Sequence, residues 1–168
     1  KGYPEEAALL QLKLDKILAG TDSLATNESS ISDKDANVEN KPIQTIGTIL
    51  QFTDSMKLVL ETIVAATTAE NLPLVIFDWL VNNITYQHDH GKFFYRTSRE
   101  VWNDGRAICG EMSVLYMTLL KQTGVPVSFV EVTKDCKGEQ VAHACVQIEH
   151  LGETFLSDPA YRLYKAEH

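Results

Sequence analysis

Cys109 lies where a glycine-bearing loop meets a long apolar helix, in the stretch NDGRAICGEMSVLYMTLL. A thiol at the N-terminus of a helix faces unpaired backbone N–H groups and the positive end of the helix dipole, and both favour the thiolate. The same N–H groups can stabilise the oxyanion that forms when a thiolate attacks a carbonyl. The residue type and its position therefore predict a nucleophilic cysteine.

A cysteine nucleophile needs an imidazole that holds its proton and later delivers it to the leaving group. His143 is the candidate, because it lies in a predicted strand of the sheet against which the Cys109 helix would pack. Asp158 ends the next predicted strand, after a tight turn at Leu151-Gly152, and lies about as far from that turn as His143 does. The hairpin can therefore bring a carboxylate to the imidazole, in a geometry that fits a Cys-His-Asp triad.

Each of these residues also has a plain structural interpretation. A lone cysteine is commonly a small buried side chain, a histidine within a strand commonly has a structural partner, and Asp-Pro commonly marks a turn. The triad hypothesis depends on all three residues occurring in order on compatible elements. Cys136, near the hairpin tip, is predicted to be an ordinary thiol. Pairing about Gly138 places Cys145 opposite residues near Glu131, so no Cys136–Cys145 disulfide is expected.

The run QHDHG contains His88, Asp89 and His90, which could contribute metal ligands. Nothing nearby completes a tetrahedral set, so a polar loop is the expected structure, and we predict no metal and no cofactor. Tyr86 and Trp102 precede the nucleophile helix and could line either the core or the site. The core is the expected place for Trp102.

The composition limits the classes of partner. The chain has 168 residues, of which 44% are hydrophobic and 23% charged, which suits one compact domain with a core. The formal charge of 15 − 23 = −8 argues against nucleic acid or an anionic membrane as the main partner. No apolar run approaches the ~20 residues of a membrane span. Because the chain begins at Lys1, we expect a processed or trimmed product of unknown compartment.

Three regions are predicted along the chain. Residues 1–20 form an amphipathic helix, with a stripe that includes Leu10, Leu14 and Leu18. Residues 21–43 are polar and form a linker. Residues 44–168 form the candidate catalytic domain. The helix can dock through residues 7–18, on its own domain or on a partner.

Capping residues mark the helices of the third region. A helical pattern begins near Ile46 and is interrupted at Thr53-Asp54, where Asp54 can cap a second segment. Pro73 sits at the start of the helix NLPLVIFDWLVNNI. Thr97 and Glu100 fit a capping box for a short helix.

After Cys109 the helix is predicted to run to about Gln122, with Gly124 as its stop. The period then changes to two, and VPVSFVEVT and VAHACVQIEH are predicted strands joined by a turn at Lys137-Gly138. TFLSDP is a third strand. Helices followed by an antiparallel sheet predict an α+β fold.

These motifs resemble the transglutaminase-like cysteine enzyme superfamily. Its catalytic cysteine begins a helix after a glycine-bearing loop, as in GRAICGEMSVLYMTLLKQTGVPV, its histidine opens a strand, as in HACVQI, and an Asp-Pro ends a later strand, as in SDPAY. The upstream FDWLVNNITY is also similar. The resemblance covers roughly Leu72 to Tyr161. Many members carry a tryptophan two residues after the histidine, where this chain has Cys145.

The resemblance implies a papain/transglutaminase-like core, with Cys109 as nucleophile, His143 as general base and acid, and Asp158 as the orienting carboxylate. It implies acyl transfer on an amide or peptide bond through a thioester, with a protein or peptide as substrate. Because the chain is small, hydrolysis by a peptidase or amidase is the expected outcome. Two alternatives stay open: a protein-glutamine transglutaminase, and a non-catalytic binding module with the same fold.

Overall fold

The structure is a computed structural model, and it describes residues 46–88, 95–135 and 137–166. Within these ranges the chain forms a helical layer and an antiparallel sheet, so the predicted α+β fold is confirmed. The predicted N-terminal helix, the polar linker, Asp89, His90 and Cys136 lie outside the described residues. The boundary between residues 43 and 44 therefore stays a prediction.

The described residues form five helices. They are α1 (Ile46–Ile49), α2 (Asp54–Ala66), α3 (Leu72–Asn83), α4 (Ser98–Asp104) and α5 (Cys109–Gln122). The same residues form two short parallel strands, β1 (Thr85–Tyr86) and β2 (Arg106–Ala107), and four longer antiparallel ones. The antiparallel strands are β3 (Val127–Lys134), β4 (Gln140–His150), β5 (Glu153–Asp158) and β6 (Leu163–Ala166).

The predicted break before α2 is correct, but the predicted capping residue is wrong. Thr53 is the N-cap, since its backbone is extended and its hydroxyl accepts a hydrogen bond from the Met56 N–H at 3.3 Å. Asp54 is instead the first helical residue, where its negative charge interacts favourably with the positive end of the helix dipole. The predicted capping box at the start of α4 is confirmed, and it is formed by Thr97 and Glu100.

Helix α5 is the centre of the core. Every residue from 110 to 120 is buried, so the helix is enclosed on all sides, by α3 and α4 among the helices and by the sheet. Tyr116 contacts α3 with its ring and donates its hydroxyl proton to the Pro73 carbonyl at 2.8 Å. Ser113 donates to the Ala144 carbonyl of β4 at 3.2 Å. The first residue of α5 is therefore carried on a rigid, tightly packed support.

The four-stranded sheet has the order β3-β4-β5-β6. Cys145 pairs with Val130, one position from the predicted partner Glu131, and β5 follows β4 through the predicted turn at Leu151-Gly152. The fourth strand, β6, was not predicted. It has only four residues, too few for its alternation of exposed and half-buried positions to be recognised in the sequence.

The pairing of β1 with β2 was also not predicted, because a two-residue strand carries no periodic pattern. Thr85 pairs with Arg106 and Tyr86 pairs with Ala107. This pairing joins the segment after α3 to the segment immediately before Cys109.

Candidate active site

Cys109 is the first residue of α5, as predicted. The residue before it, Ile108, is the N-cap, and its apolar side chain has no atom that can accept a hydrogen bond from the first-turn N–H groups. The backbone N–H of Gly110 instead hydrogen-bonds to the Cys109 thiol. An apolar N-cap thus leaves donors of the first turn available to the sulfur.

His143 and Asp158 lie in direct contact. Nε2 of His143 is 2.6 Å from Oδ2 of Asp158, and the other carboxylate oxygen accepts a hydrogen bond from the backbone N–H of Tyr161 at 3.1 Å. The Asp158 side chain is fully buried, and that of His143 nearly so. Because Nε2 is occupied by Asp158, Nδ1 is the ring nitrogen that can serve the thiol.

The structure brings the three predicted site residues together, since the imidazole of His143 also hydrogen-bonds to the Cys109 thiol. Burial alone would raise the pKa of that thiol. The hydrogen bond and the charge of His143, together with the backbone N–H groups of Ala144 and Gly110, outweigh burial and hold the thiol pKa below its ordinary value.

The imidazole shifts in the complementary direction. Burial alone would lower the pKa of His143, but hydrogen bonds and charge interactions with Asp158 and Cys109 raise it to about 9. Both shifts therefore act in the direction of a thiolate beside an imidazolium. This is the state in which a cysteine attacks and a histidine has a proton to deliver.

Tyr161 covers one face of the imidazole. The two rings are stacked, with centroids 4.5 Å apart and an interplanar angle of 14°. Tyr161 is itself 58% exposed, so its outer face meets solvent. Its backbone supports Asp158 and its ring shields His143, a role that the SDPAY motif alone does not predict.

Two further tyrosines lie close enough to Cys109 for its charge to influence them. Burial and then the negative charges of Cys109, Tyr161 and Asp158 raise the pKa of Tyr86. Burial and then the charges of Cys109, Glu131 and Glu111 raise the pKa of Tyr95. The two tyrosines share the influence of Cys109 but differ in their other charged neighbours.

Tyr95 reaches this place only because residue 110 is glycine. A Cβ on Gly110 would meet Cε1 and Cζ of Tyr95 at 2.4 Å, well inside contact distance. The ring also lies near Phe129 of β3, with centroids 5.9 Å apart. Sequence reasoning missed Tyr95, because a glycine after the cysteine does not reveal which distant ring will lie on it.

Cys145 has the opposite character to Cys109. It is fully buried in β4, and burial, with a further contribution from the charge of Asp158, raises its thiol pKa to about 11. A neutral, enclosed thiol does not act as a nucleophile. It occupies the position at which many members of the resembled superfamily carry tryptophan.

The remaining predicted features are packed against aromatic rings. Trp102 stacks on Trp79 of α3, with centroids 4.8 Å apart, and packs against the core as expected. His88 packs edge-on against Tyr86. Within the described ranges, no group of three or more His, Cys, Asp and Glu residues could hold a metal ion. No helix in these ranges is both long and apolar enough for a membrane crossing.

Comparison with known families gives one match. Residues 57–157 match the model of the transglutaminase-like superfamily. This interval begins within α2, contains α3 to α5 and the strand β4 that carries His143, and ends one residue before Asp158. No curated protein matches the chain.

Solved structures with the same fold share little sequence with the chain. A candidate cysteine protease from Cytophaga hutchinsonii is 15% identical with a TM-score of 0.50, over 68% of this chain and 42% of that one. A candidate protease from Parabacteroides distasonis is 13% identical with a TM-score of 0.53, over 66% and 24%. A protein described as a TGase is 14% identical with a TM-score of 0.52, over 92% and 39%. The chain thus spans less than half the length of each.

Proposed function

We propose that the chain, which belongs to the transglutaminase-like superfamily, is a cysteine-dependent acyl-transfer enzyme acting on amide or peptide bonds. The observation that carries the proposal is the contact among Cys109, His143 and Asp158, which lowers the pKa of the thiol and raises that of the imidazole. Such a pair supplies a nucleophile and a proton donor in one site.

The proposed reaction begins when the Cys109 thiolate attacks the carbonyl carbon of the substrate amide. The C–N bond then breaks, and the leaving amine takes the proton held by His143. The product is a thioester on Cys109 and a neutral imidazole. Asp158 keeps the imidazole oriented in both states through its contact with Nε2.

The second half determines the activity. In hydrolysis, His143 removes a proton from a water molecule, which attacks the thioester, and the sulfur leaves as a thiolate while a carboxylic acid is released. We propose hydrolysis, so that the chain acts as a peptidase or amidase on a protein or peptide. Support comes from the fold shared with two structures described as candidate proteases.

Transamidation is the second candidate, because a solved structure described as a TGase matches 92% of this chain. In that case an amine replaces water, and the product is a new amide. The chemistry up to the thioester is identical. The two activities therefore differ only in the acyl acceptor.

The test uses p-nitrophenyl acetate, which acylates an active thiol without requiring the natural substrate. The unaltered chain should release p-nitrophenolate in a burst, with the acetyl group located on Cys109 by peptide mass spectrometry. Cys109→Ala should abolish the burst, and the matched control Cys145→Ala should retain it. Absence of a Cys109-dependent burst from the folded, unaltered chain would contradict the proposal and favour a binding module.

Partition of the acetyl-enzyme then separates the two activities. Added primary amine, such as a lysine derivative, should leave acetate as the main product if the chain is a hydrolase. Predominant N-acetyl product at millimolar amine would show that the transamidation alternative is the correct one.

A further inference from the structure

Glu111 lies two residues beyond Cys109 and is a completely buried carboxylate. Its Oε1 accepts hydrogen bonds from the backbone N–H of Arg96 at 2.9 Å and from Nε of Arg96 at 3.0 Å. Its Oε2 accepts from Nη2 of Arg96 at 2.8 Å and from the backbone N–H of Ile108 at 3.3 Å. Both oxygens are thus occupied within the protein.

The guanidinium of Arg96 is also committed elsewhere. Its Nη1 contacts Oδ2 of Asp104 at 2.9 Å, and its Nη2 donates to the Arg106 carbonyl at 2.6 Å. One side chain, 11% exposed, therefore joins the end of α4, strand β2 and the first turn of α5. Hydrogen bonds to Glu111 raise the pKa of Arg96, and against the effect of burial they lower the pKa of Glu111, so both groups stay charged.

Stability alone is a weak explanation for this ion pair. Removing two charges from water costs about as much as their attraction returns, and well-packed apolar residues of similar volume are often equally stable. What the pair supplies is a defined geometry, because a planar guanidinium binds a carboxylate through two parallel hydrogen bonds.

The contacts of the pair lie on both sides of the nucleophile. Glu111 holds the backbone of Ile108, the residue before Cys109. Arg96 directly follows Tyr95, whose ring lies on Gly110, the residue after Cys109. The groups that lower the thiol pKa are His143 and the N–H groups of Ala144 and Gly110, so the ion pair reaches the sulfur through geometry.

We infer that Arg96 and Glu111 are positioning residues for the nucleophile. The ion pair holds the start of α5 against β2 and seats the Tyr95 ring on Gly110, so that the Cys109 sulfur stays within reach of His143. The inference rests on the proposed function in one respect, since it takes Cys109 to be the reacting thiol.

The experiment compares the pH dependence of Cys109 alkylation by iodoacetamide in folded variants. Arg96→Met combined with Glu111→Leu removes both charges without leaving either one unpaired. Asp104→Asn is the matched control, because it removes the partly exposed partner of Arg96 and leaves the Glu111 contacts in place. Circular dichroism and thermal unfolding establish that each variant is folded.

We expect the paired variant to be folded but to have a thiol pKa moved upward toward its ordinary value. For a thiol whose pKa lies above the working pH, an upward shift of one unit lowers the thiolate fraction by up to about tenfold, so the alkylation rate at pH 6 should fall several-fold to about tenfold. Asp104→Asn should stay within about twofold of the unaltered chain. Arg96→Lys should give an intermediate rate, since lysine keeps the charge but lacks the fork.

A folded paired variant with the parental alkylation profile would overturn the inference and leave the ion pair a purely structural role. Should that variant fail to fold, Glu111→Gln supplies the same measurement, because the amide is nearly isosteric and still offers an acceptor to Ile108. A parental profile in Glu111→Gln, too, would overturn the inference. An ordinary thiol pKa in the unaltered chain would instead contradict the proposed function, so the two failures are distinguishable.

Discussion

Cys109 and Cys145 are surrounded by parts of the same site, and burial raises the pKa of both thiols, yet the final directions are opposite. Cys109 begins a helix, where it receives hydrogen bonds from backbone N–H groups and from His143. Cys145 lies in the middle of β4, where burial and the negative charge of Asp158 both raise its thiol pKa. The same residue type thus acquires a lowered or a raised thiol pKa according to which donors and charges surround it, and burial alone does not decide the direction.

The largest expected effect comes from removing His143, the side chain that contributes most to the difference between the two thiol pKa values. His143→Ala should raise the thiol pKa of Cys109 toward that of an ordinary cysteine and remove the proton donor for the leaving group. General acid–base catalysis contributes about 10²- to 10⁴-fold, so the rate of p-nitrophenyl acetate turnover should fall within that range. Circular dichroism checks that the fold is retained.

Asp158→Asn should be milder but still large, because it disturbs the orientation and tautomer of the imidazole without removing it. Residues that act as one unit are non-additive, so the double variant should be little worse than His143→Ala alone. Near-parental rates in both folded single variants would refute the triad. An additive double variant would give Asp158 a separate role, such as closing β5 before Pro159.

The second expected effect is a difference in labelling between the two cysteines. At pH 6, brief iodoacetamide treatment followed by peptide mapping should modify Cys109 and leave Cys145 unmodified, because only the first thiol has a lowered pKa and partial exposure. Denaturant should abolish this difference. Preferential labelling of Cys145, or of Cys136, in the folded chain would reverse the comparison on which the site depends.

The same pKa shifts determine a pH range for stability and turnover. The pKa of His143 is raised above its unfolded value, so its stabilising interaction is complete below about pH 6.5 and is lost as the pH rises through about 9. The lowered thiol pKa acts in the opposite sense, and its contribution is lost as the pH falls. Turnover should therefore have a bell-shaped pH dependence whose alkaline limb lies near pH 9. An alkaline limb near pH 6.5 would contradict this prediction.

The smallest effect is expected from Tyr161. Its ring shields the imidazole and so limits the access of water to the His143–Asp158 contact. Tyr161→Ala should move the alkaline limb of the pH profile to lower pH and slow turnover a few-fold. Tyr161→Phe should behave like the unaltered chain, because stacking needs only the ring. Equal losses in both variants would show that the hydroxyl, and not the stacking, is what matters.

Local patterns were sufficient to predict much of the fold. The capping box at Thr97 and Glu100, the start of α5 at Cys109 and its stop before Gly124 each depend on residues within a few positions, and all three are confirmed. The break before α2 was placed correctly while its capping residue was not, because Thr53 and Asp54 are both good N-caps and only backbone conformation distinguishes them.

The sequence by itself determined which side chains can do chemistry and which elements carry them, since helix starts, hairpin turns and strand periods are local properties. Only the tertiary structure decided what surrounds those side chains. Tyr95 lies on Gly110, the Arg96 side chain joins α4, β2 and α5, and Tyr161 stacks on His143. The two residues of each of the pairs Tyr95–Gly110, Arg96–Glu111 and His143–Tyr161 are 15 or more positions apart in the sequence. Each contact depends on complementary shape or charge, which the periodicity of a single helix or strand does not encode.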